Sequence, residues 1–404
     1  MDMINHIYLD IREGIKGNRF LWTIILLLSF CSLLAVYSAS LSVSKFQNDS
    51  NLFFLFRHVP FILGGLALAW MISNVDYTEF NKYSPIFLVV AIGLLIYALF
   101  FGVNINNARR WIQVPLIDVS FQVSDLARIA LITYLARSIS AKQDYIKSFK
   151  TSFVPIMLPI LIVCGLIAPS NFSTSALLFL TCMMMMFVGR VSFKYILTLF
   201  LFGVAMFAFL VYLGQFLPDA IRVNSWISRI NEFLGSDEGG YQVQQAKIAI
   251  ARGSWFGVGP GHSTLRNFIP YSYADFIYAI ICEEWGILLG GIGLIVLYTL
   301  LLMHCVSVVT KSPKAFGAIL TIGIGVSIVM QAYANMAVSL GVVPVTGLTL
   351  PFISMGGTSL LFTSAAFGMV LSVSKHISGM KLDDQTSPED FQNEKVSLDG
   401  EDTH

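Results

Sequence analysis

Apolar residues fall in long blocks along this chain. They occupy 21–41, 53–73, 84–103, 126–140, 153–169, 174–189, 193–214, 276–304, 315–340 and 357–378, and the polar stretches between them are mostly short. Most blocks are about 17–25 residues long, enough to cross a bilayer as a helix. They are apolar all round, so no amphipathic period is needed to read them. The pattern predicts an all-α polytopic membrane protein of about ten transmembrane helices. Its one long polar stretch, 215–275, is expected as a large extracytoplasmic loop between spans seven and eight.

Composition agrees. Of 404 residues, 56% are hydrophobic and only 12% charged, about half the charge of a soluble domain. The formal net charge of +1 carries little information, because membrane proteins use charge by position. Cys31, Cys164, Cys182, Cys282 and Cys305 all sit in apolar blocks. Their spacing gives neither a metal motif nor a disulfide framework. Residues 1–20 lack a signal peptide's short apolar core and cleavage site. They are expected as a cytoplasmic N-terminal segment ahead of a membrane domain at 21–378.

Charge in the loops orients the chain. Lys142, Lys147, Lys150, Arg190, Lys194, Lys311, Lys314, Lys375 and Lys381 fall on one side, whereas the loops at 42–52, 170–173 and 341–356 hold only Lys45. The positive-inside rule then puts both termini in the cytoplasm. Two outer loops break the rule. One carries Arg109 and Arg110; the other carries Arg222, Arg229, Lys247, Arg252 and Arg266. That basicity fits either an anionic ligand at the outer face or ordinary solvated loop charge. The acidic end "KLDDQTSPEDFQNEKVSLDGEDTH" cannot bury enough apolar surface to order itself, so 379–404 is expected as a disordered cytoplasmic tail.

Four stretches carry candidate chemistry. In "YSYADFIYAIICEEWG", Asp275 stands at the mouth of an apolar run, while Glu283 and Glu284 lie inside it. Asp275 suits a helix N-cap or a partly desolvated general base. Glu283 would lie about 12 Å deeper on a helix, with Glu284 turned about 100° from it. Pairing with a neighbouring basic residue is the expectation for these two. In "NNARRWIQVPLIDVSFQVSDLARIALI", Arg109 and Arg110 offer guanidinium forks suited to phosphate oxygens. Asp125 and Arg128 are spaced to pair on one helix face. In "GGYQVQQAKIAIARGSWFGVGPGHSTLRNFIP", Gln242, Gln245, Lys247 and Arg252 decorate a moderately amphipathic stretch that could lie on the membrane surface. Its glycines allow tight turns or close backbone approach to a ligand, and no nucleotide P-loop is present. In "LGVVPVTGLTLPFISMGGTSLL", Pro344, Gly347, Pro351, Gly356 and Gly357 interrupt apolar sequence, the mark of a re-entrant segment lining a cavity.

Taken together, "NNARRWI", "FQVSDLAR", "GYQVQQAKIAIARGSWFGVGPGHS", "ADFIYAIICEEWG" and "VPVTGLTLPFISMGGTS" resemble, in order, the signatures of the SEDS family of bacterial cell-wall polymerases, over roughly residues 15–378. "GLTLPFIS" is closer to the division branch than to the elongation branch. The sequence departs from the family at Asn107 (usually Gly), Val123 (Pro), Asp125 (Glu), Arg128 (Lys) and Ala274 (Thr or Ser). The family's proline-aspartate-glycine signature reads "APSNFSTSA" here, so no acid near 171 carries over.

The resemblance implies peptidoglycan glycosyltransfer on lipid II at the cytoplasmic membrane, during septal synthesis, with Asp275 as the essential outer-loop aspartate. Arg109, Arg110, Gln122, Gln242, Lys247, Arg252 and Arg266 would bind substrate. Glu283, Glu284, Pro351, Ser354, Gly356 and Gly357 would shape the cavity. No resident metal site is expected in the protein itself, although a divalent cation, Mg or Mn, is compatible with the pyrophosphate. The implied partner is a class B penicillin-binding protein, docked through the glycines of spans eight and nine, alongside other division membrane proteins; nucleic acid is not expected. A lipid II flippase and a non-catalytic division scaffold are the alternative readings.

Overall fold

A computed structural model describes residues 19–47, 51–105, 108–114, 119–214, 223–235, 240–269 and 272–385. Its helices in the first half are α1 (Arg19–Gln47), α2 (Asn51–Ser73), α3 (Tyr77–Phe101), α4 (Val123–Ser140), α5 (Val154–Ile167), α6 (Phe172–Val188) and α7 (Phe193–Gly214). The second half holds α8 (Val223–Gly235), α9 (Tyr241–Gly253), α10 (Ser272–Asp275), α11 (Ile277–Gly286), α12 (Gly293–Lys311), α13 (Ala315–Ser339) and α14 (Thr358–Gln385).

Among the described residues, eight helical stretches are long and apolar enough to cross a membrane. Two further bundle helices, α4 and α6, fall outside that set. The first carries Asp125, Arg128 and Arg137, and the second is apolar but shorter. The helix expected over 276–304 is not continuous. Gly286, at φ +78°, ends α11, and the π-type turn Ile287–Ile292 leads into α12. The last helix runs past the expected boundary at 378 to Gln385; the rest of the acidic tail, and most of the N-terminal segment, lie outside the described residues.

α13 is the hub. Leu320, Ile324, Ile328 and Ala332 are all buried, and the helix packs against α4, α6, α12 and α14. Its glycines serve this packing. A methyl group at Gly323 would sit 2.7 Å from Met185 and 2.9 Å from Ile132, and one at Gly325 would sit 2.7 Å from Cys305. At Gly317 it would meet Val373 at 3.1 Å and Tyr77 at 3.3 Å. The expected use of these glycines by a partner helix is therefore corrected, since the chain's own helices fill that space.

Between α3 and α4 the chain forms a feature that the block pattern does not announce. β1 (Val103–Ile105), β2 (Ala108–Val114) and β3 (Val119–Gln122) make a three-stranded antiparallel sheet in that order. Trp111 pairs with Gln122, and Ile112 with Phe121. The Thr358 hydroxyl donates to the Ser120 carbonyl (3.2 Å), tying this ribbon to the start of α14.

Candidate active site at the end of the bundle

Asp275 closes the short helix α10. It does not cap the helix that follows: the N-cap position of α11 is Phe276, with no side-chain cap bond. The N-cap expectation is thus overturned, and the carboxylate is left for other work. Three polar side chains hold the backbone around it. Asn335 of α13 donates to the Asp275 carbonyl (2.8 Å) and to the Leu348 carbonyl (2.6 Å). Ser354 donates to the Ala274 carbonyl (2.7 Å) and accepts from the Leu350 amide (2.8 Å). Gln331 donates to the Thr349 carbonyl (2.9 Å) and accepts from Arg128.

These bonds pin the irregular segment between α13 and α14 carbonyl by carbonyl, as non-helical backbone inside a membrane protein requires. The Tyr298 hydroxyl adds a bond to the Pro351 carbonyl (2.5 Å). Pro351 and Ser354 are buried; Gly356 and Gly357 are half-buried beside Ser359 and Phe61. Gly347 lies at the carboxylate itself. Its φ is +65°, and a methyl group there would touch the Asp275 Oδ2 at 3.8 Å and the Arg229 guanidinium at 3.9 Å.

Two cations act on the half-buried Asp275 carboxylate: Arg110 from β2 and Arg229 from α8. Burial pushes its pKa up; Arg110 and Arg229 pull it partly back. Arg110 also acts on Asp125, which takes further influence from Arg128 and a hydrogen bond from Ser359. Asp125 and Arg128 are thus neighbours as expected, and the Arg128 guanidinium also donates to Gln331.

The other expected site residues divide. Arg109 is paired with Asn104 in the ribbon, and its side chain lies outside the described residues. Gln122, at the end of β3, donates to Ser124 (2.7 Å). Lys247 shares a pocket of about 180 Å³ with Arg229, Glu232 and Val345. Gln242 is exposed on α9. Arg252 and Arg266 have structural partners instead. Arg252 reaches Glu283 (3.3 Å) and Thr264 (2.5 Å). Arg266 donates to the Ser38 carbonyl (3.0 Å) and the Gly261 carbonyl (2.7 Å).

Glu283 and Glu284 organise the loop that precedes α10. Glu283 accepts from Ser263 (2.5 Å), from the Thr264 amide and hydroxyl (3.0 and 2.8 Å) and from the Leu265 amide (3.3 Å). Glu284 accepts from Ser38 and from the Ser263 amide (3.1 Å). Pairing with a basic residue therefore holds for Glu283, while Glu284 is held by hydroxyl and amide donors. The glycines of this loop bring it against α11. Gly257, at φ +82°, lies where a methyl group would be 2.1 Å from the Glu284 carbonyl. The Val258 and Gly259 amides bond the carbonyls of Glu283 and Glu284 (both 3.0 Å). α9 likewise packs its buried Val243, Ala246 and Ala249 face against protein.

Arg229, Asn335 and Gln331 were not among the expected site residues. Arg229 appeared only as one loop cation among several, and the two amides lie inside an apolar run. A buried amide in a span is the signal that could have found them. Among the described residues no three His, Cys, Asp or Glu side chains converge to hold a resident metal ion; a divalent cation carried by substrate phosphates needs only one or two protein carboxylates. The site offers one carboxylate between two guanidinium groups.

These features define a multi-pass membrane protein with a polar site at one end of its bundle, centred on a carboxylate facing two fixed cations. The chain belongs to the FtsW/RodA/SpoVE family of cell cycle proteins, whose family model matches residues 18–379. It is 34% identical over 361 residues to stage V sporulation protein E of Bacillus subtilis, covering 87% of this chain and 95% of that protein. It is 32% identical over 374 residues to a probable peptidoglycan glycosyltransferase FtsW of Saccharophagus degradans, covering 91% and 95%. Its fold is similar to a chain of a peptidoglycan synthase complex described as coordinating polymerization and crosslinking (TM-score 0.69, 24% identity, 88% of this chain and 98% of that one). The rod shape determining protein RodA of Thermus thermophilus shares the fold as well (TM-score 0.62, 23% identity, 88% and 95%).

Proposed function

We propose that this chain is a peptidoglycan glycosyltransferase that polymerises lipid II, with Asp275 as general base. The observation that carries the reading is the contrast among three neighbouring carboxylates. Glu283 and Glu284 are consumed by donors, whereas among the described residues none donates a hydrogen bond to the Asp275 side chain. Its surroundings raise its pKa without neutralising its role, as a base working near neutrality needs.

Asp275 takes the proton of the acceptor sugar's 4-hydroxyl. That oxygen bonds to the donor's anomeric carbon, the bond from that carbon to the pyrophosphate oxygen breaks, and lipid pyrophosphate leaves with the electron pair. A single displacement turns the α-linked donor into a β-1,4 link. Arg110 and Arg229 supply positive charge where the leaving group gains negative charge. The site faces outward from the cytoplasmic membrane, with both termini inside, and the similarity to FtsW proteins supports work at the division septum.

The likeness to a synthase complex supports a class B penicillin-binding protein as partner. Gly293 stays open to such a helix, in an apolar groove it shares with Leu27, Cys31, Trp285 and Leu297. The test is polymerisation of purified lipid II by the protein with its transpeptidase, wild type against Asp275→Asn. Loss of polymer at normal membrane insertion supports the assignment. Retained synthesis refutes Asp275 as the base, and absence of polymer with the wild type favours the flippase or scaffold readings.

A further inference from the structure

α8 is amphipathic in an unusual place. Ile227 and Ile230 are each 42% exposed and Leu234 is 75% exposed. At about 100° per residue these three lie within about 60° of one another around the helix, whereas Arg229 and Glu232 fall on the opposite flank. That flank does the protein-facing work. Arg229 donates to the Val345 carbonyl (3.1 Å) and stands beside Gly347 and Asp275.

The apolar stripe is continuous with the exposed apolar surface of α7, a helix long and apolar enough to cross a membrane. Trp226 packs its ring on Phe172 (5.0 Å between centroids) and Phe207 (6.1 Å), aromatic residues of the apolar helices α6 and α7. Farther along α7, Phe209 and Tyr212 are each 57% exposed, as befits a lipid-facing helix. A short helix with an apolar stripe on one side and charge on the other, stacked through Trp on the end of a span, has the make-up of an interfacial helix.

We propose that α8 is seated in the headgroup–acyl boundary of the outer leaflet by Ile227, Ile230 and Leu234, and that this seating holds Arg229 at Asp275. The bilayer is then part of the site's scaffold: it positions one of the two cations. Arg229 is a positioning residue for the Asp275 carboxylate before any substrate arrives. The coupling, though not the seating, rests on the assignment of Asp275 as base.

The experiment places a nitroxide at Leu234→Cys in a Cys31→Ala background, in the full-length protein reconstituted in phospholipid bilayers. Molecular oxygen should relax the label more strongly than a water-soluble nickel chelate, with the order reversed for a label at Glu232→Cys. A second arm measures polymerisation by Leu234→Glu. Activity should fall roughly tenfold, the acid limb of its pH profile should move to higher pH, and Leu234→Phe should restore both. A label at 234 that the nickel chelate reaches freely overturns the seating, whatever the protein's activity. A label shielded from both relaxants overturns the bilayer as occupant in favour of a protein surface. A lipid-facing label with full activity and an unmoved limb in Leu234→Glu overturns the coupling. An active Asp275→Asn variant with a lipid-facing label overturns the base assignment and the coupling while supporting the seating.

Discussion

Asp275 and Glu283 stand eight residues apart in sequence and have opposite fates. Glu283 is fully buried and accepts bonds from Ser263, Thr264, Leu265 and Arg252. Asp275 is half-buried, accepts no side-chain hydrogen bond from the described residues, and is acted on by the charges of Arg110 and Arg229. A buried carboxylate is tolerated when its oxygens are satisfied. The comparison teaches that depth alone does not mark the reactive acid. The deeper carboxylate builds the loop, and the shallower one is the base we propose.

The largest effect separates them by kind. Asp275→Asn should lower polymerisation by about 10² to 10⁴, the usual worth of a general base, with thermal stability near wild type. Glu283→Ala should act first on folding. It strands several buried donors, each costing roughly 1–3 kcal/mol, so its melting temperature in detergent should drop before any rate is measured. Equal loss of stability in the two variants would erase the distinction.

A smaller effect tests the cations. Arg110→Ala and Arg229→Ala should each slow polymerisation by about 10², the scale for losing one preorganised group at a developing charge. Lysine at either place should recover only part, since it lacks the fork. Arg252→Ala, whose partner is Glu283, should change stability more than rate. If Arg252→Ala slows turnover as much as Arg229→Ala at unchanged stability, the division between loop-building and site cations is wrong.

Much of this was legible in the sequence. The apolar blocks locate the bundle helices because twenty apolar residues have few other uses. Asp275 stands out because a carboxylate at the mouth of such a block is costly without a purpose. The ribbon at Val103–Gln122 escaped notice because its strands are short and its motif was read as loop. Which cation faces Asp275 could not be read either. Arg229 is forty-six residues upstream, and it arrives through the packing of α8 beside Val345 and Gly347. Arg252 and Arg266 look equivalent in a list of charges, and only their bonds to Glu283, Ser38 and Gly261 set them apart. Asn335 and Gln331 were hidden by the apolar run around them.

A finer test works through pH. The base must be ionised, so polymerisation should fall as pH drops through the Asp275 pKa. Burial holds that pKa above the ordinary carboxylate value, and Arg110 and Arg229 restrain the rise. Removing either cation removes a downward pull, so Arg229→Gln should carry the acid limb of the kcat profile to higher pH. A variant measured on the acid side then loses more activity than the same variant at its plateau. Glu283→Gln offers the contrast, because its carboxylate is not among the groups that act on Asp275. Its limb should stay where the wild type's lies, even if its plateau falls through weaker folding. The measurement is initial rate against pH for the three proteins at saturating lipid II. A limb that moves with Glu283→Gln and stays fixed with Arg229→Gln would reverse the roles assigned to the two carboxylates.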